Sequence, residues 1–211
     1  MSRRSKLIYL HGLGSNAAGM KSMADALDQW VQPDESIFLE GPFNVAQGTE
    51  AAYGWFTPPA NEHRALDDPE RKAPSGLDKS VQLVHDKIDQ LIQTGSAPQD
   101  IFLIGHSQGG ATAITAGLTY PKTLGGVIAV AGYLALTEAM TPQKTETPFR
   151  LHHALEDDNV SCYWADYARN FMEELGISCQ VKFWDLSMYP HSVHPCQVEA
   201  IAEWLNGVLS L

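Results

Sequence analysis

The chain has 211 residues, 44% of them hydrophobic, and a formal net charge of -11. That suits one domain spanning 1–211 and is short for two, and the acidic balance argues against nucleic acid or an anionic membrane surface as partner. The first apolar run, Leu7 to Leu10, is too short for a signal-peptide core or an integral membrane segment, and Cys162, Cys179 and Cys196, without CxxC or metal spacing, read as reduced thiols in a cytoplasm.

Leu7-Ile8-Tyr9-Leu10 has the continuous apolar pattern of a strand buried on both faces of a parallel sheet. It runs into a flexible loop, His11-Gly12-Leu13-Gly14-Ser15. Ala17 to Val31 is predicted to be an amphipathic helix with Met20, Met23, Leu27 and Trp30 on one side. Ser36 to Glu40 is a second strand, stopped by Gly41-Pro42. Residues 43–74 settle into neither period. A connection this long inside a domain reads as an active-site lid or pocket wall, with a plain surface excursion as the alternative. From Ser75, a candidate cap with Asp78 three residues on, Leu77, Val81, Val84, Ile88, Leu91 and Ile92 follow at helical spacing, and Gly95 ends the run.

Ile101 to Ile104 is the next strand, and Gly126 to Tyr133 another. Leu134 to Thr147 is loop-like, Phe149 to Ala154 is a strand, and Ser161 to Leu175 a helix closed by Gly176. Cys179 to Trp184 is the last strand, and a loop over Leu186–Pro195 leads into a final helix. Six strands alternating with helices give a mainly parallel central sheet covered on both faces, an α/β fold.

Between the third strand and its helix lies Gly105-His106-Ser107-Gln108-Gly109-Gly110. Gly-x-Ser-x-Gly at a strand–helix junction is the grammar of a nucleophile elbow. The two glycines let strand and helix approach, and the serine stands clear at the apex with the positive end of a helix behind it. Serine is a weak nucleophile at neutral pH. It needs an imidazole to take its proton, a carboxylate to orient that imidazole, and fixed N–H donors for the oxyanion of a tetrahedral intermediate.

Ligands of parallel sheets sit beyond the carboxyl ends of the strands. At those ends lie His11-Gly12-Leu13-Gly14, Ser107, the run Glu156-Asp157-Asp158, and His191 with His194. The order serine, acid, histidine is that of α/β hydrolases. Asp157 is the preferred acid, because Val160 three residues on can anchor the following segment; Asp158 is the alternative. His191 is the preferred base, with His194 nearer the helix and at the surface. The backbone N–H groups of Gln108 and Leu13 are the expected oxyanion donors. His11 braces the oxyanion loop, and His106 packs or lines the pocket. One of His152 and His153, on alternate faces of a strand, has scope for a local hydrogen bond; His63 and His85 read as exposed. No pair has His-x-x-x-His or His-Glu-x-x-His spacing, so no metal is expected.

His11-Gly12-Leu13-Gly14, Gly105 to Gly110, His153-Ala154-x-x-Asp157-x-x-Val160 and His191-Ser192-Val193 together resemble the phospholipase/carboxylesterase family of α/β hydrolases, over almost the whole chain. The resemblance implies an α/β-hydrolase fold and a cofactor-free serine esterase, with Ser107, Asp157 and His191 as triad and Leu13 and Gln108 as oxyanion hole. It also implies an aromatic segment, Gly54-Trp55-Phe56, near an acyl pocket. The implied substrate is a small acyl ester of short to medium chain length. An acyl-protein thioester or a lysophospholipid is the alternative, and a non-catalytic ligand-binding homologue is the reading from a different class. A homodimer is compatible with this reading. Pro190 replaces the glycine usual before the histidine, Ala154 and two extra carboxylates surround the acid, and Phe56 to Pro74 is longer than is typical. These departures bear on substrate choice and leave the triad intact.

Overall fold

The six predicted strands form one parallel sheet. In the computed structural model, which describes residues 5–46, 51–57 and 74–210, the strands are β1 (Lys6–Leu10), β2 (Glu35–Leu39), β5 (Ile101–His106), β6 (Gly126–Val130), β7 (Phe149–Ala154) and β8 (Cys179–Trp184), in the order β2-β1-β5-β6-β7-β8. Every adjacent pair is parallel. The chain leaves β1 toward β2, then returns to the other side of β1 with β5. The loops after β1 and β5 therefore diverge at a topological switch point, the crevice where ligands of such sheets bind.

The helices are α1 (Lys21–Asp28), α2 (Leu77–Gln93), α3 (Gln108–Thr119), α4 (Tyr163–Glu174) and α5 (Pro195–Leu209). Helices α2, α3 and α4 contribute to the larger core cluster with Ile8, Leu10, Leu103 and Val127, while α1 and α5 cover the other face, over Leu7, Tyr9, Phe102 and Ile128. Helix α3 runs through the larger core, and all of its residues from Gln108 to Leu118 are buried. The crossover from β6 to β7 carries no helix, as the Pro-containing sequence between them indicated.

Three expectations need correction. The helix predicted over Ala17–Val31 is a 3-10 turn, Ala17–Met20, followed by the short α1. Met20, Met23 and Leu27 are buried as expected, but Trp30 lies beyond the helix end and is 58% exposed. Ser75 does not cap α2: Gly76 does, at φ 87°, where an added Cβ would stand 2.4 Å from the Phe43 ring. Its left-handed backbone suits glycine. Within residues 43–74, β3 (Phe43–Asn44) and β4 (Tyr53–Gly54) pair antiparallel, which the sequence pattern did not show. Residues 58–73, on which the lid expectation mainly rests, and His63 lie outside the described residues. Among the described residues no helix is long and apolar enough to cross a membrane.

Candidate active site

Ser107 sits between β5 and α3 with φ 52° and ψ −119°, a conformation that costs on the order of 1–3 kcal/mol for a non-glycine residue. Its neighbours enforce it. The Ser107 N–H donates to the Val130 carbonyl at 2.9 Å, and the Ser107 carbonyl accepts from Ala111 N–H at 3.0 Å. The glycines on either side have a steric reason. A Cβ on Gly105 would lie 2.3 Å from the Gly109 carbonyl oxygen, and one on Gly109 would lie 2.3 Å from that of Leu10. Strand and helix thus meet backbone to backbone, and the turn projects the serine side chain beyond the sheet.

The structure brings His191 and Asp157 to this serine. His191 Nε2 is 2.8 Å from Ser107 Oγ, and His191 Nδ1 is 2.8 and 3.0 Å from the two Asp157 oxygens. A carboxylate only accepts, so Nδ1 carries the proton and Nε2 offers its lone pair to the serine hydroxyl. Of the three consecutive acids, Asp157 alone is buried; Glu156 and Asp158 are exposed. Asp157 Oδ1 also accepts from the N–H groups of Asn159 and Val160, at 3.0 and 2.9 Å. This turn aims the carboxylate inward while Val160 anchors it in the core. Burial alone would raise the Asp157 carboxyl. The nearby His153 ring, the bond from His191 and the bond from the Val160 N–H outweigh that and hold it well below the usual carboxylate range.

Three further histidines support this arrangement. His106, one residue before the serine, has its Nε2 3.0 Å from the His191 carbonyl, which it meets as a donor. Burial, reinforced by the neighbouring His191, pushes its pKa down to about 4, so the ring is neutral near pH 7. His153 donates from Nε2 to the Val160 carbonyl at 2.6 Å and lies 3.5 Å from Asp157 Oδ2, beneath the acid turn. His11 is fully buried and held down in pKa by that burial. Its Nε2 accepts from Gly41 N–H at 3.0 Å, so Nδ1 donates to the Gly12 carbonyl at 2.7 Å. It braces the loop after β1, as the sequence suggested. His152 accepts at Nδ1 from Trp184 Nε1 at 3.1 Å, so both strand histidines have local bonds. His194 starts α5 and takes no part in the triad-like chain. Its Nε2 meets the Tyr189 carbonyl at 2.9 Å, and its N–H donates to Gln197 Oε1, also at 2.9 Å.

The loop carrying Leu13 lies against the elbow. A Cβ on Gly12 would stand 3.0 Å from His106 Nδ1 and 3.6 Å from Ser107 Cβ. Gln108 opens α3, where backbone N–H groups have no intrahelical acceptor. The loop after β1 and the first turn of α3 thus approach Ser107 from two elements.

The aromatic pair expected near an acyl pocket is placed otherwise. Trp55 and Phe56 are both 0% exposed. Trp55 donates from Nε1 to the His11 carbonyl at 2.7 Å, and Phe56 packs edge-on against Tyr133. Both rings belong to the core under the site. Among the described residues, large apolar side chains are exposed on the carboxyl-edge loops at Leu13, Leu155, Met188 and Tyr189, and at Tyr163, the first residue of α4. Sequence reading did not single out Leu155, Met188 or Tyr189, since exposure of a lone apolar residue in a loop leaves no periodic signal.

Comparison with known proteins points the same way as the geometry. The model of the phospholipase/carboxylesterase family matches residues 2–209. Carboxylesterase SOBER1 of Arabidopsis thaliana is 29% identical over 216 residues, covering 96% of this chain and 90% of that protein. Acyl-protein thioesterase 1 of Gibberella zeae is 27% identical over 217 residues, with the same two coverages, 96% and 90%. The crystal structure of Arabidopsis thaliana SOBER1 superposes with a TM-score of 0.81 at 27% identity, over 98% of this chain and 99% of that one.

Proposed function

The chain belongs to the phospholipase/carboxylesterase family, and we propose that it is a serine carboxylesterase that hydrolyses short- to medium-chain acyl esters through an acyl-enzyme on Ser107. The observation that carries this reading is the unbroken chain Ser107 Oγ–His191 Nε2, His191 Nδ1–Asp157 Oδ2, each link 2.8 Å long. As Ser107 Oγ adds to the ester carbonyl, its proton passes to His191 Nε2. The imidazolium so formed is stabilised by the buried Asp157 carboxylate. The carbonyl oxygen takes the negative charge between the N–H groups of Leu13 and Gln108. On collapse, the C–O bond to the alcohol breaks and His191 gives its proton to the leaving alkoxide. Water then repeats the sequence on the acyl-enzyme, releasing the acid and restoring Ser107. No step calls for a cofactor or metal.

The same machinery accepts an acyl–sulfur bond, and the likeness to an acyl-protein thioesterase favours a thioester as the second substrate class. Three free thiols, Cys162, Cys179 and Cys196, suit a reducing compartment such as the cytoplasm. The test is a p-nitrophenyl ester series of increasing acyl length beside acyl thioesters and lysophospholipids, using purified protein. The carboxylesterase reading expects the highest kcat/KM on esters of short to medium chain. A maximum on thioesters or lysolipids moves the assignment to that class, and no turnover on any of them contradicts it.

A further inference from the structure

Leu13 and Gln108 stand on different elements, the loop after β1 and the start of α3. Their N–H groups can grip one oxygen only if the distance between them is fixed to about 0.5 Å. Leu13 lies between Gly12 and the left-handed Gly14, at φ 77°, in a stretch with little stiffness of its own. The structure ties it down through residues 53–57. Gly14 N–H donates to the Tyr53 carbonyl at 2.9 Å, and Tyr53 N–H to the Ser15 carbonyl at 2.7 Å. Two residues further on, this strap is held by the Gln108 side chain. Gln108 Oε1 accepts from Trp55 N–H at 2.7 Å, and Gln108 Nε2 donates to the Phe56 carbonyl at 3.0 Å. The Trp55 carbonyl accepts from the Ser80 hydroxyl on α2, and Thr57 N–H donates to the Ser75 carbonyl at 3.0 Å. Between the two contacts sits Gly54. A Cβ there would stand 2.9 Å from Leu13 Cδ1 and 3.0 Å from Gln108 Oε1, so the side chains of both oxyanion residues converge on this one glycine.

We infer that the buried Gln108 side chain is a positioning residue: through the Tyr53–Phe56 strap it sets the separation between its own N–H group and that of Leu13. The inference rests on the esterase reading above. It separates two roles of one residue. The Gln108 backbone meets the reacting oxygen, while its amide side chain acts on the other donor through Trp55, Phe56 and Tyr53. The amide suits the task because it accepts and donates at once, matching one free N–H and one free carbonyl of the strap. An isosteric apolar side chain fills the space and leaves both strap groups without these partners.

The experiment uses Gln108→Met and, independently, Gly54→Ala, which wedges the strap from its other side. Each variant and the wild type are measured for kcat and KM on a p-nitrophenyl ester. Affinity is measured for an alkyl trifluoromethyl ketone and for the secondary alcohol of the same carbon skeleton. In the ketone adduct, Ser107 Oγ bonds to the carbonyl carbon, the C=O π pair becomes an oxyanion, and the serine proton goes to His191. The alcohol fills the pocket without forming an oxyanion. Removing one oxyanion donor costs about 10²–10³ in turnover, so a displaced donor should cost on the order of 10–100-fold. That loss is expected in kcat, with KM within about threefold, and in ketone affinity, with alcohol affinity unchanged. Folded variants with wild-type kcat and ketone affinity overturn the inference, as does equal loss of ketone and alcohol binding, which marks general damage to the pocket. If Gln108→Met does not fold, Gly54→Ala decides by the same readouts. A wild type that neither hydrolyses the ester nor binds the ketone overturns the esterase reading itself, and the coupling with it.

Discussion

His106 makes a quantitative prediction about acid. Its half-buried ring packs beside His191, and desolvation pushes its pKa from 6.5 to about 4 in the folded protein. Unfolding returns it to water, where it binds a proton more readily. Between the two values the unfolded state holds more protons, so stability rises with pH. The contribution is complete above about pH 6.5 and is lost as pH falls toward 4. For these two values the loss between pH 7 and pH 4.5 is about 2.4 kcal/mol. His152, pushed down to about 3 by burial, adds a loss of the same sign. Asp157, held below its ordinary 3.8, loses its contribution only at lower pH. The clean perturbation is His106→Gln, whose Nε2 can still donate to the His191 carbonyl but does not titrate. Urea unfolding of wild type and variant at half-unit steps from pH 7 to 4.5 gives the difference directly. The variant should lose about 2.4 kcal/mol less than wild type across the window. Parallel acid curves would refute the argument that His106 is folded in as a neutral, desolvated ring.

Asp157→Asn should place an amide where the structure has a carboxylate against His191 Nδ1, favour the wrong imidazole tautomer, and lower kcat by about 10⁴, while the exposed Asp158→Asn stays within about twofold; the reverse ranking would move the acid to Asp158. Gly109→Ala drives a Cβ to 2.3 and 2.4 Å from the carbonyls of Leu10 and His11, backbone that has no room to yield. It should cost at least about 3 kcal/mol in urea unfolding. Gly207→Ala in α5 meets nothing within 4 Å and should instead gain about 0.5–1 kcal/mol.

The sequence made the frame of the site legible because its signals are local. Continuous apolar runs mark strands buried on both faces, and Gly-x-Ser-x-Gly between such a run and a helix marks one tight junction. The carboxyl ends of the strands then gather Ser107, Asp157, His191 and the Leu13 loop without knowledge of any side-chain contact. What escaped depends on partners distant in the chain. Gly76 is chosen by the ring of Phe43, which no capping rule near Ser75 can anticipate. Trp55 and Phe56 look like pocket aromatics in a polar, proline-rich stretch, yet they are drawn under the site by the His11 carbonyl and the Gln108 side chain, about 50 residues away along the chain. The link from His106 to the His191 carbonyl spans 85 residues and leaves no trace in local pattern.

Hydrolysis by the proposed route requires Ser107 as the nucleophile. Treating the protein with a fluorophosphonate and mapping the adduct by mass spectrometry tests this most directly, with Ser107→Ala measured beside it. The expected result is one stoichiometric phosphonyl group on Ser107, abolished hydrolysis on labelling, and a loss of about 10⁴–10⁶ in kcat for the alanine variant. Label on another residue, or a Ser107→Ala protein that hydrolyses esters at near the wild-type rate, would contradict it.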